Sequence, residues 1–194
     1  HSKADLSVSV KGMPGRVLVW SHSDPTEDVL AKLNLSLQDL FDEPKGVEYD
    51  YSDGRTVHRS PDKRFRQSGN TQGTALFHVE RITDQTETVF VVEGENDVIA
   101  LEQMGLTAVC TAMGSGKAHL FDFTPLFGRR VRIVRDMDDP GLLHAQQVLR
   151  ILAPHCDVEI VEPAEGKDAA DHFVSGHAVE EFAPMPAVEP VDEA

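Results

Sequence analysis

The chain has 194 residues, 40% of them hydrophobic and 26% charged, with a formal net charge of −15 at pH 7. That length covers one medium domain, or one with a small appendage, and can bury a sizeable core. No apolar run approaches the roughly 18 residues of a membrane span and no signal-peptide pattern is present, so no membrane partner is expected and the expected location is cytoplasmic. The charge works against tight nucleic-acid binding, whose affinity comes largely from neutralised phosphates. Part of it is local, since the last 21 residues hold five acids and no Lys or Arg. The chain begins at His1 rather than Met and is expected to be a fragment. Cys110 and Cys156 fall in or beside predicted strands, as small buried hydrophobes of a reducing compartment rather than a disulfide or metal pair.

Residues 1–44 form a first small unit. Leu6–Val10 alternates like a strand, Met13-Pro-Gly15 turns, and Arg16–Trp20 returns, which predicts a hairpin. Asp24-Pro-Thr-Glu-Asp28 then opens a helix, with a capping acid, an early Pro and acids near the positive end. Val29, Leu30, Leu33, Leu35, Leu37, Leu40 and Phe41 supply its apolar face and that of a short helix after it.

Residues 45–85 read as a β-rich, basic subdomain. Val47, Tyr49 and Tyr51 alternate with acids, Arg55–Arg59 returns after a turn at Ser52-Asp-Gly54, and Thr74–Ile82 is a further strand candidate. Arg55, Arg59, Lys63, Arg64 and Arg66 cluster here around Phe65. Basic side chains interleaved with an aromatic suit a groove for single-stranded nucleic acid. The plain alternative is a solvated face that balances an acidic protein.

From residue 86 to 175 short β-branched runs alternate with helical patterns. Strands are predicted at Thr88–Val92, Thr107–Thr111, Val131–Val134 and Val158–Val161, with helices near 96–104 and 142–153. Such alternation implies parallel pairing with right-handed crossovers, and ligands of such sheets bind outside the carboxyl ends of the strands. Two of those ends carry acids. Thr88–Val92 stops at Glu93-Gly-Glu-Asn-Asp97, where Gly94 permits a sharp turn. Val131–Val134 stops at Arg135-Asp136-Met-Asp138-Asp-Pro-Gly141. Asp136 and Asp138, two apart, share one face of an extended strand end. Glu93, Asp136 and Asp138 are therefore expected to meet in one crevice. Carboxylates there suit a hard ion such as Mg²⁺, which keeps its other positions for water and phosphate. A polar loop with a capping Asp is the alternative. Gly114-Ser-Gly116-Lys117 is either a phosphate cradle or a flexible loop; it lacks the full P-loop pattern, so Walker-type ATP hydrolysis is not expected. Residues 176–194, rich in Pro and acids, read as a disordered tail or linker.

The sequence Val91-Val-Glu93-Gly-Glu-Asn-Asp97, followed by Asp136-x-Asp138-x-Pro-Gly141, resembles the Toprim domain shared by primases, topoisomerases and some nucleases. Val98-Ile-Ala-Leu101, Ala112-Met-Gly-Ser-Gly-Lys117 and Gly166-Lys-Asp168-Ala-Ala-Asp171 look like the primase branch, which holds bacterial replicative primases and primase-like proteins of phages and plasmids. The resemblance covers about residues 86–175. It implies an α/β Toprim fold, a central mostly parallel sheet flanked by helices, after a small β-rich N-terminal region. It implies Glu93 as general acid/base and additional metal ligand, Asp136 and Asp138 as holders of Mg²⁺ or Mn²⁺, and Asp168 as a third acidic site. Ala170 departs from the family's pattern of a second Asp there, with Asp171 as a substitute. Asp97 is expected to cap or brace its helix. Lys117 and Arg135 are candidate phosphate contacts. Lys63-Arg-Phe-Arg-Gln67 resembles a primase subdomain that helps hold the template, which makes Lys63, Arg64 and Arg66 candidate nucleic-acid contacts.

The first unit resembles the end of the primase zinc-binding module, on Leu6-Ser-Val-Ser-Val10, Val17-Leu-Val-Trp20 and Glu27-Asp-Val-Leu-Ala-Lys-Leu33. The cysteines of that module are missing. The turn reads Ser21-His-Ser-Asp24, only His1 and His22 could serve as ligands, and no structural zinc is expected. The implied function is DNA primase: metal-dependent synthesis of short RNA primers from nucleoside triphosphates on single-stranded DNA, with a helicase, fused or separate, as partner. The alternatives are a metal-dependent Toprim nuclease and a non-catalytic replication module. A topoisomerase is disfavoured, because it needs a nucleophilic Tyr on a large separate domain, and Tyr49 and Tyr51 lie in a predicted hairpin.

Overall fold

A computed structural model describes residues 8–13, 15–21, 23–41, 46–60, 64–114 and 116–185, with Gln38 placed by its backbone alone. The chain divides into two compact units. One takes the described residues of His1–Glu48 and His58–Arg66, the other those of Tyr49–Val57 and Gln67–Ala194.

In the first unit, β1 (Val8–Met13) and β2 (Arg16–Ser21) pair antiparallel, with Val10 opposite Val19 and Gly12 opposite Val17. Gly15, at φ 77°, supplies the left-handed residue of the turn. The start of the expected first strand and the candidate ligands His1 and His22 lie outside the described residues. The helix α1 (Thr26–Ala31) carries Glu27 and Asp28 in its first turn and buries Val29 and Leu30. The rest of the expected apolar face does not form: Leu33, Leu35, Leu37 and Phe41 are exposed. The helix stops after six residues, the chain turns at Asn34 (φ 56°), and Leu37–Leu40 is a 3-10 turn, so helical spacing no longer aligns these side chains.

Three strands, β3 (Val47–Asp50), β4 (Arg55–Arg59) and β5 (Phe65–Gly69), form a sheet in that order. The second unit includes Tyr49–Val57 and everything from Gln67, so residues 45–85 are not a subdomain of their own. Tyr49, Tyr51, Val57 and Phe77 are built into the core of that unit. Thr74–Ile82 is not a strand. Phe77 makes a single bridge to Cys110, His78 turns the chain at φ 57°, and a 3-10 turn follows at Val79–Arg81.

The second unit is the expected α/β fold. Its elements are β6 (Thr88–Val92), α2 (Glu95–Gln103), β7 (Ala108–Cys110), β8 (Arg130–Val134), α3 (Asp139–Leu152), β9 (Asp157–Glu162), α4 (Ala169–Val174) and β10 (Ala183–Pro184). The sheet order is β10-β9-β8-β6-β7, parallel except for the two-residue β10 at one edge. Successive side chains of β6 enter opposite layers. Phe90 and Val92 pack with Val98 and Leu101 of α2, whereas Val89 and Val91 share a cluster with Ala145, Val148 and Leu152 of α3. Both faces are covered, which is why β6 reads as an unbroken apolar run. Residues 176–185, expected in a tail, belong to the fold: Phe182 is 2% exposed and stacks on His172 with ring centroids 4.0 Å apart. Their polar composition hid one aromatic anchor. Residues 186–194 lie outside the described residues. Among the described residues no helix is long and apolar enough to cross a membrane.

Candidate active site

The chain leaves β6 for β7 on one side, then returns to β8 on the other side of β6. This reversal of strand order opens a crevice between adjacent carboxyl ends. The register Val91–Ile133 brings Glu93, just after β6, and Asp136, two residues after β8, to the same edge. Next along, Val134 pairs with Val161 of β9, whose continuation delivers Lys167 and Asp168.

Several acids at this edge are fixed by local devices. Asp138 caps α3: its Oδ1 accepts the Gly141 N–H at 2.8 Å. Asp168 caps α4 in the same way, accepting from Asp171 N at 2.9 Å. The Asp171 carboxylate accepts the Lys167 N–H at 3.0 Å and so braces the loop. Asp97, in the first turn of α2, accepts from Ala170 N at 3.0 Å and so ties α2 to α4. Met137 N donates to Lys167 O at 2.8 Å, which joins the two acidic loops. Gly141 is required by proximity, because a Cβ there would stand 2.5 Å from Asp136 O. A Cβ on Gly114 would come 3.8 Å from Glu93 Oε1, so the glycine-rich loop flanks the glutamate. Behind the site, Tyr51 donates to Glu95 Oε1 at 2.9 Å and Tyr49 to Asn96 Oδ1 at 2.5 Å, which fixes the first turn of α2.

The Lys167 ammonium lies between the paired aspartates, 3.0 Å from Asp138 Oδ2 and 3.6 Å from Asp136 Oδ2. Burial pushes the Asp136 carboxyl up; Lys167 pulls it back, and Asp168 and Asp138 push it up again. Asp138 is held below the usual range by the Gly141 N–H and by Lys167. Asp97 is pushed up to about 7, first by burial and then by Asp168. The upward shifts of Asp136 and Asp97 owe most to burial and less to the neighbouring acids.

One cation reaches both Asp136 and Asp138, an arrangement that fits a divalent ion held by oxygen ligands. Among the described residues no group of three or more His, Cys, Asp or Glu is arranged to hold a metal. A divalent ion here would draw on the Asp136/Asp138 pair, with water and phosphate to complete its shell.

The remaining candidates are scattered. Arg135 is committed to Glu162, with two guanidinium nitrogens 2.7 Å from Oε1. Lys117 is exposed at the head of a 3-10 turn, Ala118–Leu120. Arg64 and Arg66 are exposed, Arg59 lies over the Phe65 ring at 5.6 Å, and Lys63 is outside the described residues. Arg55 is no part of a basic face. It is 2% exposed, it donates to Gly73 O, and its guanidinium lies 5.2 Å from the Phe121 ring centroid. The residue that sequence analysis passed over is Lys167; its one visible signal was its place beside Asp168 in a loop bound for the acidic edge.

Residues 90–173 match the family described as Toprim-like. No curated protein matches the chain in sequence. Similar solved structures are primases. A complex of bacteriophage T7 lagging-strand DNA polymerase with primase domains of two gp4 subunits, bound to an RNA/DNA hybrid and dTTP, aligns with TM-score 0.58 and 21% identity over 71% of this chain and 78% of that one. The primase fragment of the T7 primase-helicase aligns with TM-score 0.51 and 20% identity, over 67% and 57%. The E. coli primase catalytic core aligns with TM-score 0.56 and 19% identity, over 75% and 55%. The chain thus spans little more than half the length of the last two, and the shared property is the fold.

Proposed function

We propose that this Toprim-like chain is the core of a DNA primase-type nucleotidyltransferase that joins ribonucleotides into short RNA on a single-stranded DNA template. One observation carries the proposal: Glu93, Asp136, Asp138 and Asp168 come to a single carboxyl-end edge of a sheet whose fold is that of primase cores. Asp136 and Asp138 would hold Mg²⁺ or Mn²⁺, with Glu93 and Asp168 at the margin. When bound, such an ion neutralises phosphate charge and stabilises the attacking and leaving oxygens. The side chains do the rest. Phosphoryl transfer needs positioning more than covalent help, and the caps at Asp138 and Asp168 fix both acidic loops to helix starts. Glu93, beside a loop with no side chain at Gly114, takes the proton of the primer 3′-hydroxyl at its carboxylate. The exposed Arg64 and Arg66, with Phe65 and Lys63, provide charge and a stacking platform for the template. Lys117 contacts triphosphate; Arg135 does so only after leaving Glu162. A helicase, fused or separate, supplies the template strand.

The test is primer synthesis on single-stranded DNA with Mg²⁺ or Mn²⁺ and four ribonucleotides, comparing wild type with Asp136→Asn/Asp138→Asn. Products that vanish in the variant support the proposal. Template cleavage in Mn²⁺ without nucleotides would replace it with a nuclease. Neither activity, with metal still bound, would leave a non-catalytic replication module.

A further inference from the structure

We propose that Lys167 is the resident counter-ion of the Asp136/Asp138 pair and competes with the divalent cation for it. The inference rests on that pair being a cation site. One ammonium already sits where the two carboxylates converge, 3.0 Å and 3.6 Å from their Oδ2 atoms. Its backbone is held from both sides: Lys167 O accepts from Met137 N at 2.8 Å, and Lys167 N donates to Asp171 Oδ2 at 3.0 Å. Gly166, at φ 88°, shapes the turn, and a Cβ there would strike the Cβ of Asp171 at 2.3 Å. Backbone and side chain therefore behave differently. The loop is fixed, whereas the side chain is 57% exposed and can swing out. An ammonium and a dication cannot share the pair, since like charges at contact distance repel strongly. Metal entry therefore costs the two ammonium contacts and sends Lys167 outward, where its three N–H donors suit the phosphates of an incoming nucleotide. Without metal, the same lysine relieves repulsion among Asp136, Asp138 and Asp168. The pair is thus partly neutralised when empty, one ammonium against two carboxylates, and binds metal weakly until something anionic draws Lys167 away.

The experiment is calorimetric titration of the full chain, stripped with EDTA, with Mn²⁺ alone. Lys167→Met should bind about tenfold tighter than wild type, from the loss of one nearby positive charge. Lys167→Arg should match wild type, and Asp136→Asn/Asp138→Asn should not bind. In EDTA, Lys167→Met should melt below wild type, and saturating Mn²⁺ should remove the difference. If binding needs the two aspartates but is unchanged or weaker in Lys167→Met, the competition is refuted while the cation site stands. If all chains give the same heats, both fall together. Should the Met variant not fold, Lys167→Gln is measured against the same outcomes.

Discussion

Replacing Gly141 with Ala sets a general tendency against a local clash. In a helix, Ala is better than Gly by about 0.5–1 kcal/mol, so an unconstrained first turn of α3 would gain stability. Here the new Cβ would stand 2.5 Å from Asp136 O, 2.6 Å from its Cβ and 3.0 Å from its carbonyl carbon. These distances fall up to about 1 Å inside ordinary contact at roughly 3.5 Å. Two of the three atoms belong to the backbone, so no rotamer relieves them. The first turn of α3 must move off the end of β8, and overpacking of this kind costs about 1–3 kcal/mol. The same shift stretches the 2.8 Å cap from Gly141 N to Asp138 Oδ1, a bond worth about 1 kcal/mol. Less the propensity gain, the expected loss is about 2 kcal/mol, or roughly 4–8 °C in Tm for a domain of this size. Scanning calorimetry in EDTA measures it directly, and Mn²⁺ titration of the same variant should show weakened binding, because Asp136 and Asp138 lose their spacing. An unchanged or raised Tm would refute the close-approach role of Gly141.

Two buried titrating groups give opposite pH limbs. His144 is 3% exposed, neither ring nitrogen has a partner among the described residues, and burial pushes it down to about 4. Its folded value lies below the ordinary 6.5, so the chain should lose stability as pH falls from about 6.5 to about 4. His144→Leu should flatten that limb and stabilise the protein by about 1 kcal/mol at pH 7, since a buried unsatisfied polar group is removed; urea midpoints at pH 5 and 7 decide it. Asp97 behaves in the reverse sense. Its folded value, about 7, lies above the ordinary 3.8, so in the absence of metal its contribution is greatest at low pH and is lost as pH rises towards about 7. Asp97→Asn, which keeps an acceptor for Ala170 N, should be more stable than wild type at pH 8 but not at pH 4. Arg64→Ala and Arg66→Ala should each reduce the salt dependence of single-strand binding by about 0.7 in log–log slope, measured by fluorescence anisotropy; equal slopes would remove these residues from the template path.

The edge that carries the acids was legible because a strand covered on both faces is an uninterrupted apolar run. Thr88–Val92 and the run to Val134 therefore announce their own ends, and Glu93 and Asp136 stand just beyond them. What stayed hidden has physical causes as well. Phe65–Gly69 holds one large apolar residue, so β5 has no period to detect. Arg55 belongs to a basic stretch in sequence, but it is buried against carbonyls and a ring that come from residues 67 to 121, and no local pattern reports such partners. Leu33–Phe41 keeps a helical spacing that a left-handed Asn34 makes irrelevant.

Lys167 shows where one-dimensional reasoning stops. Its nearness to Asp136 depends on the β8–β9 register, in which Val134 meets Val161, and on a loop whose length from β9 brings Lys167 O to Met137 N. A slip of one residue in that register would turn every β9 side chain to the other face and exchange the core cluster around Val161 for the one around Ile160. The register is therefore enforced by the packing of the two layers, not by the acids, which repel one another. The hydrophobic core assembles a cluster of carboxylates that would not assemble unaided, and one cation, Lys167, is brought to it by the backbone. An acidic protein can in this way keep a concentrated negative site folded before any metal arrives.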